Sequence, residues 1–248
     1  MDISANYLSS VIFFFTTLLS GLFVVGYPQK VARHGTLLLT FGGSFLFCLT
    51  FLHLLPEVYE HMKEYPYLSY CLLLGFFFQF FLDLLSDGIA HGHTHSHKEG
   101  ATLSRNVFGL FSALFIHAMF DGLLIGGHGH GHGHDHSLLA GMVLHKIPTT
   151  FALMTILVEY RYKKGAMIGY LVLFALASPL GCFLPSLLKS MDLVETGWVL
   201  YFWALAVGNL LHIATTILAE VSADHRLRMP QIIAYLAGAF LAIMANIH

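Results

Sequence analysis

The chain has 248 residues, of which 56% are hydrophobic and only 10% charged, and its formal net charge is -2. A mean hydropathy of +0.71 excludes an ordinary soluble domain, and the near-neutral charge removes the global basic field that a nucleic-acid binder needs. The three cysteines, Cys48, Cys71 and Cys182, fall in apolar runs without CxxC spacing, so neither a redox compartment nor a zinc-thiolate centre follows from them.

A bilayer crossing takes about 20 apolar residues. On that measure eight helical spans are predicted, at 6–26, 36–58, 67–86, 104–126, 138–159, 165–187, 196–220 and 230–247. The first follows Met1-Asp2 rather than a basic leader and reads as a span, not a removed signal. Connectors marked by Pro28, Tyr65-Pro66, Gly165, Gly197 and Pro230 leave no room for a soluble domain, so residues 1–248 are expected to form one all-α, polytopic, multi-pass membrane domain. With the amino terminus outside, the inner loops hold Lys30, Arg33, Lys98, Arg105, Arg161, Lys163, Lys164, Arg226 and Arg228, and the outer loops only Lys63 and Lys189. The positive-inside rule then puts both termini outside. The membrane is the cell membrane for a bacterial source, and the plasma membrane or an endomembrane for a eukaryotic one.

In chain order, the first polar string inside an apolar run is His53-Leu54-Leu55-Pro56-Glu57 on span two. Asp83 and Asp87 end span three and are expected to face headgroup water. The loop after it carries alternating histidines at 91–97, and the loop after span four carries five more at 128–136. Nine mobile imidazoles in two low-complexity tracts favour metal capture or buffering over a plain polar connector.

Span four holds His117-Ala118-Met119-Phe120-Asp121-Gly122, and span five His145-Lys146-Ile147-Pro148-Thr149. His117 and Asp121 are four residues apart, as are His145 and Thr149, so each pair shares one helix face. Counting about 1.5 Å per residue, antiparallel neighbouring spans bring all four to one depth. A charged group near the bilayer centre costs about 2.5–3.5 kcal/mol even on the lenient insertion scale, so groups kept there usually act. A lone intramembrane histidine would read as a packing hydrogen bond. Two imidazoles and a carboxylate at matched depth are instead borderline ligands suited to zinc and its neighbours. Pro148 cannot donate to the carbonyl of Leu144 and loosens the turn beside His145. Gly122 lets another helix or an ion approach closely. Lys146 needs a buried counter-charge, for which Asp121, Glu57 and Glu220 are the candidates. Span seven adds Asn209, His212, Thr215, Thr216 and Glu220. His53 and Glu57 are thus a candidate outer approach, and His212 with Glu220 a candidate inner exit.

At these residues the chain resembles the ZIP (Zrt/Irt-like) divalent metal transporter family, over nearly its whole length. The resemblance implies a 3+2+3 arrangement of eight helices, with the first three and last three related by inverted pseudo-symmetry. It also implies a metal site between spans four and five, movement of zinc or a similar divalent cation toward the cytosol, a homodimer, and an elevator-like displacement of spans one, four, five and six. Many members carry His-Asn on span four and His-Glu-x-Pro-His/Glu on span five around two metals. Here Ala118, Lys146 and Thr149 stand at those places, so the chain resembles the branch with Ala and Lys there. The ligands carried over are His117, Asp121 and His145, with Thr149 as a weak fourth, and a second metal is not expected.

The expected function is therefore transport of a divalent transition-metal ion, zinc first, with no enzymatic activity, no resident cofactor and no nucleic-acid partner; the metal is substrate and the lipid bilayer the other partner. The chain lacks a Gly-rich phosphate loop, so the drive must come from the metal gradient, the membrane potential or protons. The alternative from another class is a membrane-embedded zinc hydrolase on the same cluster, with Glu57 as its acid or base.

Overall fold

The computed structural model describes residues 3–85, 101–127, 135–191, 196–221 and 228–246. The histidine tract at 91–97, all but the end of the tract at 128–136, Asp87 and the side chain of Glu220 lie outside what is described. Among the described residues nine α-helices run in order: α1 (Ile3–Gly26), α2 (Pro28–Leu49), α3 (Leu55–His61), α4 (Leu68–Leu85), α5 (Ala101–Gly127), α6 (Asp135–Glu159), α7 (Lys164–Ser190), α8 (Thr196–Val221) and α9 (Met229–Asn246). A π-helical turn, Thr50–Leu54, joins α2 to α3 and makes one rod of them. No strand occurs among the described residues.

Each predicted span falls on one of these rods. The largest difference is the start of the second, which begins at Pro28 rather than residue 36, with Tyr27 alone separating it from α1. Proline is tolerated in a first helical turn because the N–H it lacks would have no partner there. Six rods contain stretches long and apolar enough to cross a bilayer; α4 and α9 contribute the shorter apolar stretches Leu68–Leu84 and Met229–Met244. Their outward residues are apolar too: Phe77, Phe81, Ile233, Leu236 and Phe240 are each more than half exposed. The protein is an all-helical, polytopic membrane protein.

Prolines inside α6 (Pro148) and α7 (Pro179, Pro185) do not end those helices. In α6 the hydroxyls of Thr149 and Thr150 both donate to the carbonyl of Lys146, at 3.0 and 2.6 Å, and so bind backbone acceptors beside the proline. The helix stops at Arg161, whose φ of 54° is left-handed. There the N–H of Tyr162 donates to the carbonyl of Leu157 and that of Arg161 to Val158, the bond pair of a Schellman cap.

Packing divides the rods into two groups. One apolar cluster centres on Leu110, Leu153, Met154, Leu171 and Phe174, from α5, α6 and α7. The other centres on Phe45, Leu46, Leu68, Trp203 and Leu210, from α2, α4 and α8. The principal packing pairs are α5 with α7, α1 with α6 and α7, α4 with α8, α2 with α9, α6 and α8, and α5 with α8 and α6. Exchanging α1 with α7, α2–α3 with α8, α4 with α9 and α5 with α6 maps this set onto itself.

Among the contacts closer than side chains allow are two between α5 and α7. A Cβ at Gly122 of α5 would collide with the carbonyl oxygen of Ser178 on α7, and one at Gly181 of α7 with the carbonyl oxygen of Met119 on α5. The helices meet backbone to backbone, as small residues permit in a membrane. The hydroxyl of Ser178 donates across the same contact to the carbonyl of Ala118, at 2.8 Å.

Candidate metal centre

The backbone contact of α5 with α7 sets α5 so that the face bearing His117 and Asp121, one turn apart, turns toward α6 and α8. From α6, His145 meets them. Nε2 of His117 lies 3.1 Å from Nε2 of His145 and 3.5 Å from Oδ2 of Asp121. The imidazole planes are inclined at 78°. All three side chains are buried, and they are the only group of three or more His, Cys, Asp or Glu residues among those described whose ligand atoms converge, all within 4.8 Å of one another. Tetrahedral zinc with bonds of about 2.0–2.1 Å has ligand atoms about 3.3 Å apart. The two measured edges bracket that figure.

Lys146 donates to Oδ2 of Asp121 at 2.6 Å. Asp121 is thus one counter-charge it meets of the three open to it from the sequence; the side chain of Glu220, another, lies outside the described residues. The ammonium also lies 5.7 Å from the ring of Phe174 and 5.9 Å from that of Phe13, near enough for cation–π attraction. Its contacts all lie inside the membrane protein rather than at an interface, for it is 1% exposed.

Thr149 is not brought to the cluster in the same way. Its hydroxyl donates to the carbonyls of His145, at 3.2 Å, and Lys146 on its own helix. Gly122 serves the approach of a helix, α7, as described above. His53 and Glu57 sit half-buried on the π turn and on α3, outside the converging group.

Asp83 corrects the expectation that it faces headgroup water. It accepts from Nε2 of Gln79 at 2.7 Å through Oδ1 and from Nε2 of His212 at 3.0 Å through Oδ2, and its side chain is 16% exposed. The reason is the close packing of α4 on α8, which gives the carboxylate donors that compete with water. His212 is therefore tied to α4, its ring edge-on to Phe76 and Phe80. Gln79 in turn accepts from Nδ2 of Asn209 at 2.7 Å, and Oδ1 of Asn209 lies 3.1 Å from Nδ1 of His117. Gln79 and this connection were not singled out from the sequence. Its only signal is two isolated amides in apolar runs 130 residues apart, with nothing to say that α4 and α8 meet.

Comparison with known proteins follows the same line. Residues 90–247 match the family model described as ZIP Zinc transporter. Zinc transporter ZIP9-B of Xenopus laevis is 28% identical over 173 residues, 66% of this chain and 55% of that protein. Zinc transporter ZIP9 of Xenopus tropicalis is 27% identical over 184 residues, covering 70% and 59%. Zinc transporter ZIP9 of Micropogonias undulatus is 27% identical over 173 residues, covering 66% and 54%. The chain thus spans little more than half the length of these curated relatives.

Proposed function

The chain belongs to the ZIP zinc transporter family, and from that premise we propose that it moves a divalent transition-metal ion, zinc first, across a membrane toward the cytosol through a site formed by His117, Asp121 and His145. The observation that carries this reading is the convergence of three buried ligand atoms from α5 and α6 within 4.8 Å of one another, with the two edges at His117, 3.1 and 3.5 Å, close to those of tetrahedral zinc. Such burial is costly unless the groups are paired or hold an ion.

The self-mapping packing pattern supports the 3+2+3 inverted repeat of eight spans, and the excess of Lys and Arg in the inner loops supports placing both termini outside. Thr149 remains a candidate weak fourth ligand through a hydroxyl lone pair, with water completing the shell. Lys146 stands where a bridging acid would hold a second metal, and its charge on Asp121 favours a single ion. Pro148 and Gly122 act by shaping α6 and by seating α5 against α7. His53 and Glu57 are the proposed outer approach, His212 and Glu220 the inner exit, and the two histidine tracts the collectors. A homodimer within the bilayer is the proposed assembly. No nucleic-acid partner is proposed, and residues 1–248 act as one transporter domain.

Metal uptake into proteoliposomes tests the reading, scanning zinc, cadmium, cobalt, nickel, manganese and iron. Saturable zinc uptake that falls to background in both His117→Ala and Asp121→Ala is expected. Uptake unchanged in both would overturn it. The hydrolase alternative finds no support: the family is one of transporters, and Glu57, its proposed acid or base, stands apart from the converging group.

A further inference from the structure

Four residues lead away from His117 in an unbroken ladder. Nδ1 of His117 meets Oδ1 of Asn209 at 3.1 Å, Nδ2 of Asn209 meets Oε1 of Gln79 at 2.7 Å, Nε2 of Gln79 meets Oδ1 of Asp83 at 2.7 Å, and Oδ2 of Asp83 meets Nε2 of His212 at 3.0 Å. Asn209, Gln79 and His117 are all buried. We infer that Asp83, acting through Gln79 and Asn209, is a positioning residue that fixes the tautomer of His117, keeping the nitrogen that faces the transported metal free of a proton. The inference rests on the reading of His117 as a metal ligand.

The argument is one of donors and acceptors. An ionised carboxylate only accepts. Facing Asp83, Gln79 must therefore present its NH2, which turns its carbonyl oxygen to Asn209. Asn209 must answer with its own NH2, which turns its carbonyl oxygen to His117. Against that oxygen Nδ1 must carry the proton, so Nε2 is left with a lone pair aimed at Asp121 and His145. A metal needs that lone pair, and an orienting partner on the far nitrogen is what metal-binding histidines generally have. The same logic assigns the opposite form to His145. It donates Nε2–H to the Nε2 lone pair of His117 in the metal-free protein, while its Nδ1 has no hydrogen-bond partner.

At the far end, His212 reinforces the direction by donating to Asp83 from Nε2. The carboxylate thus has a donor on each oxygen and cannot be replaced by an amide without reversing one of them. Asp83→Asn keeps the shape but removes the polarity: its NH2 can donate to Gln79, flip both amides and leave His117 protonated at Nε2. Asn209→Leu removes the partner of Nδ1 altogether, whereas Asn209→Asp keeps an acceptor there.

The test is 15N NMR of the histidine side chains in metal-free, full-length protein at about pH 8, above the ordinary imidazole range, with the His117 signal assigned as the one missing from His117→Gln. Wild type should show His117 as the single Nδ1–H tautomer. Asp83→Asn should show both tautomers, Asn209→Leu should lose the Nδ1–H form, and Asn209→Asp should retain it. Equilibrium zinc binding should weaken by about 10- to 100-fold in Asn209→Leu, the usual effect of losing such a partner, and less in Asp83→Asn, where part of the population stays correctly protonated. A single, unchanged Nδ1–H signal in Asp83→Asn overturns the inference, and because that change is isosteric the test does not depend on the leucine variant folding. Zinc uptake that survives His117→Gln would instead overturn the transport reading, while the tautomer signals still judge the ladder.

Discussion

Nζ of Lys146 lies 2.6 Å from Oδ2 of Asp121, with both side chains 1% exposed. The oxygen that the ammonium holds is the same one that stands 3.5 Å from Nε2 of His117. With Asp121 as a proposed ligand, a fixed cation would compete with the mobile one for its carboxylate.

Removing that competitor should strengthen binding and weaken the empty fold. In Lys146→Met, zinc affinity is expected to rise at least about tenfold, since a nearby like charge costs an ion a few kcal/mol even at an effective dielectric constant of about 20. Thermal unfolding without metal should move to lower temperature, because Asp121 is left buried and uncompensated. A zinc titration and a pair of melting curves, with and without zinc, check both; unchanged affinity would show that the ammonium does not compete.

The reverse deletion separates stability from transport. Asp121→Asn strands the ammonium and should cost about 3–5 kcal/mol, the usual effect of breaking a buried pair. The double variant Asp121→Asn/Lys146→Met should recover most of that stability and none of the uptake. Uptake in the double variant would remove Asp121 from the ligand set.

Thr149 should matter little. Its hydroxyl proton goes to carbonyls of its own helix, so Thr149→Val is expected to change zinc uptake by less than about threefold, well under the tenfold that 1.4 kcal/mol represents. His145→Ala, tested beside it, should abolish uptake. A loss in Thr149→Val comparable to that in His145→Ala would make the hydroxyl a genuine ligand.

The α5–α7 contact is open to a one-carbon test. Gly122→Ala places a methyl against the Ser178 carbonyl and should destabilise by about 1–3 kcal/mol through overpacking, more than helix propensity returns. Gly169→Ala, on the same α7 but with open space around it, should be neutral or slightly stabilising. Equal melting temperatures for the two variants would contradict the close approach.

The helical, polytopic character was legible because a span is defined by one property, an apolar run of sufficient length, and each of the eight runs falls on a helical rod, six of them long and apolar enough to cross. The convergence of His117, Asp121 and His145 was legible for a local reason: His117 and Asp121 share a face at a spacing of four, and short connections make α5 and α6 antiparallel neighbours. Asp83 was misread because its position near a helix end suggests water, whereas its partners Gln79 and His212 depend on the pairing of α4 with α8. Tertiary pairings of that kind leave no periodicity to read. The π turn at Thr50–Leu54 was equally hidden; there the sequence offers His53 and Pro56, the spacing found at His145 and Pro148, yet α6 stays α-helical through its proline.

The backbone contact between α5 and α7 also has a mechanical side. Where carbonyls rather than side chains form the contact there are no flexible groups to rearrange, so axial slippage of one helix along the other is blocked and the pair behaves as one stiff beam. Gly75 and Gly208 weld α4 to α8 in the same manner, each facing a carbonyl of the other helix. α5 meets α8 between the two beams, and the hydrogen bond from His117 to Asn209 crosses that contact. A displacement of His117 on one beam therefore pulls directly on Asn209 of the other, as a latch couples two leaves.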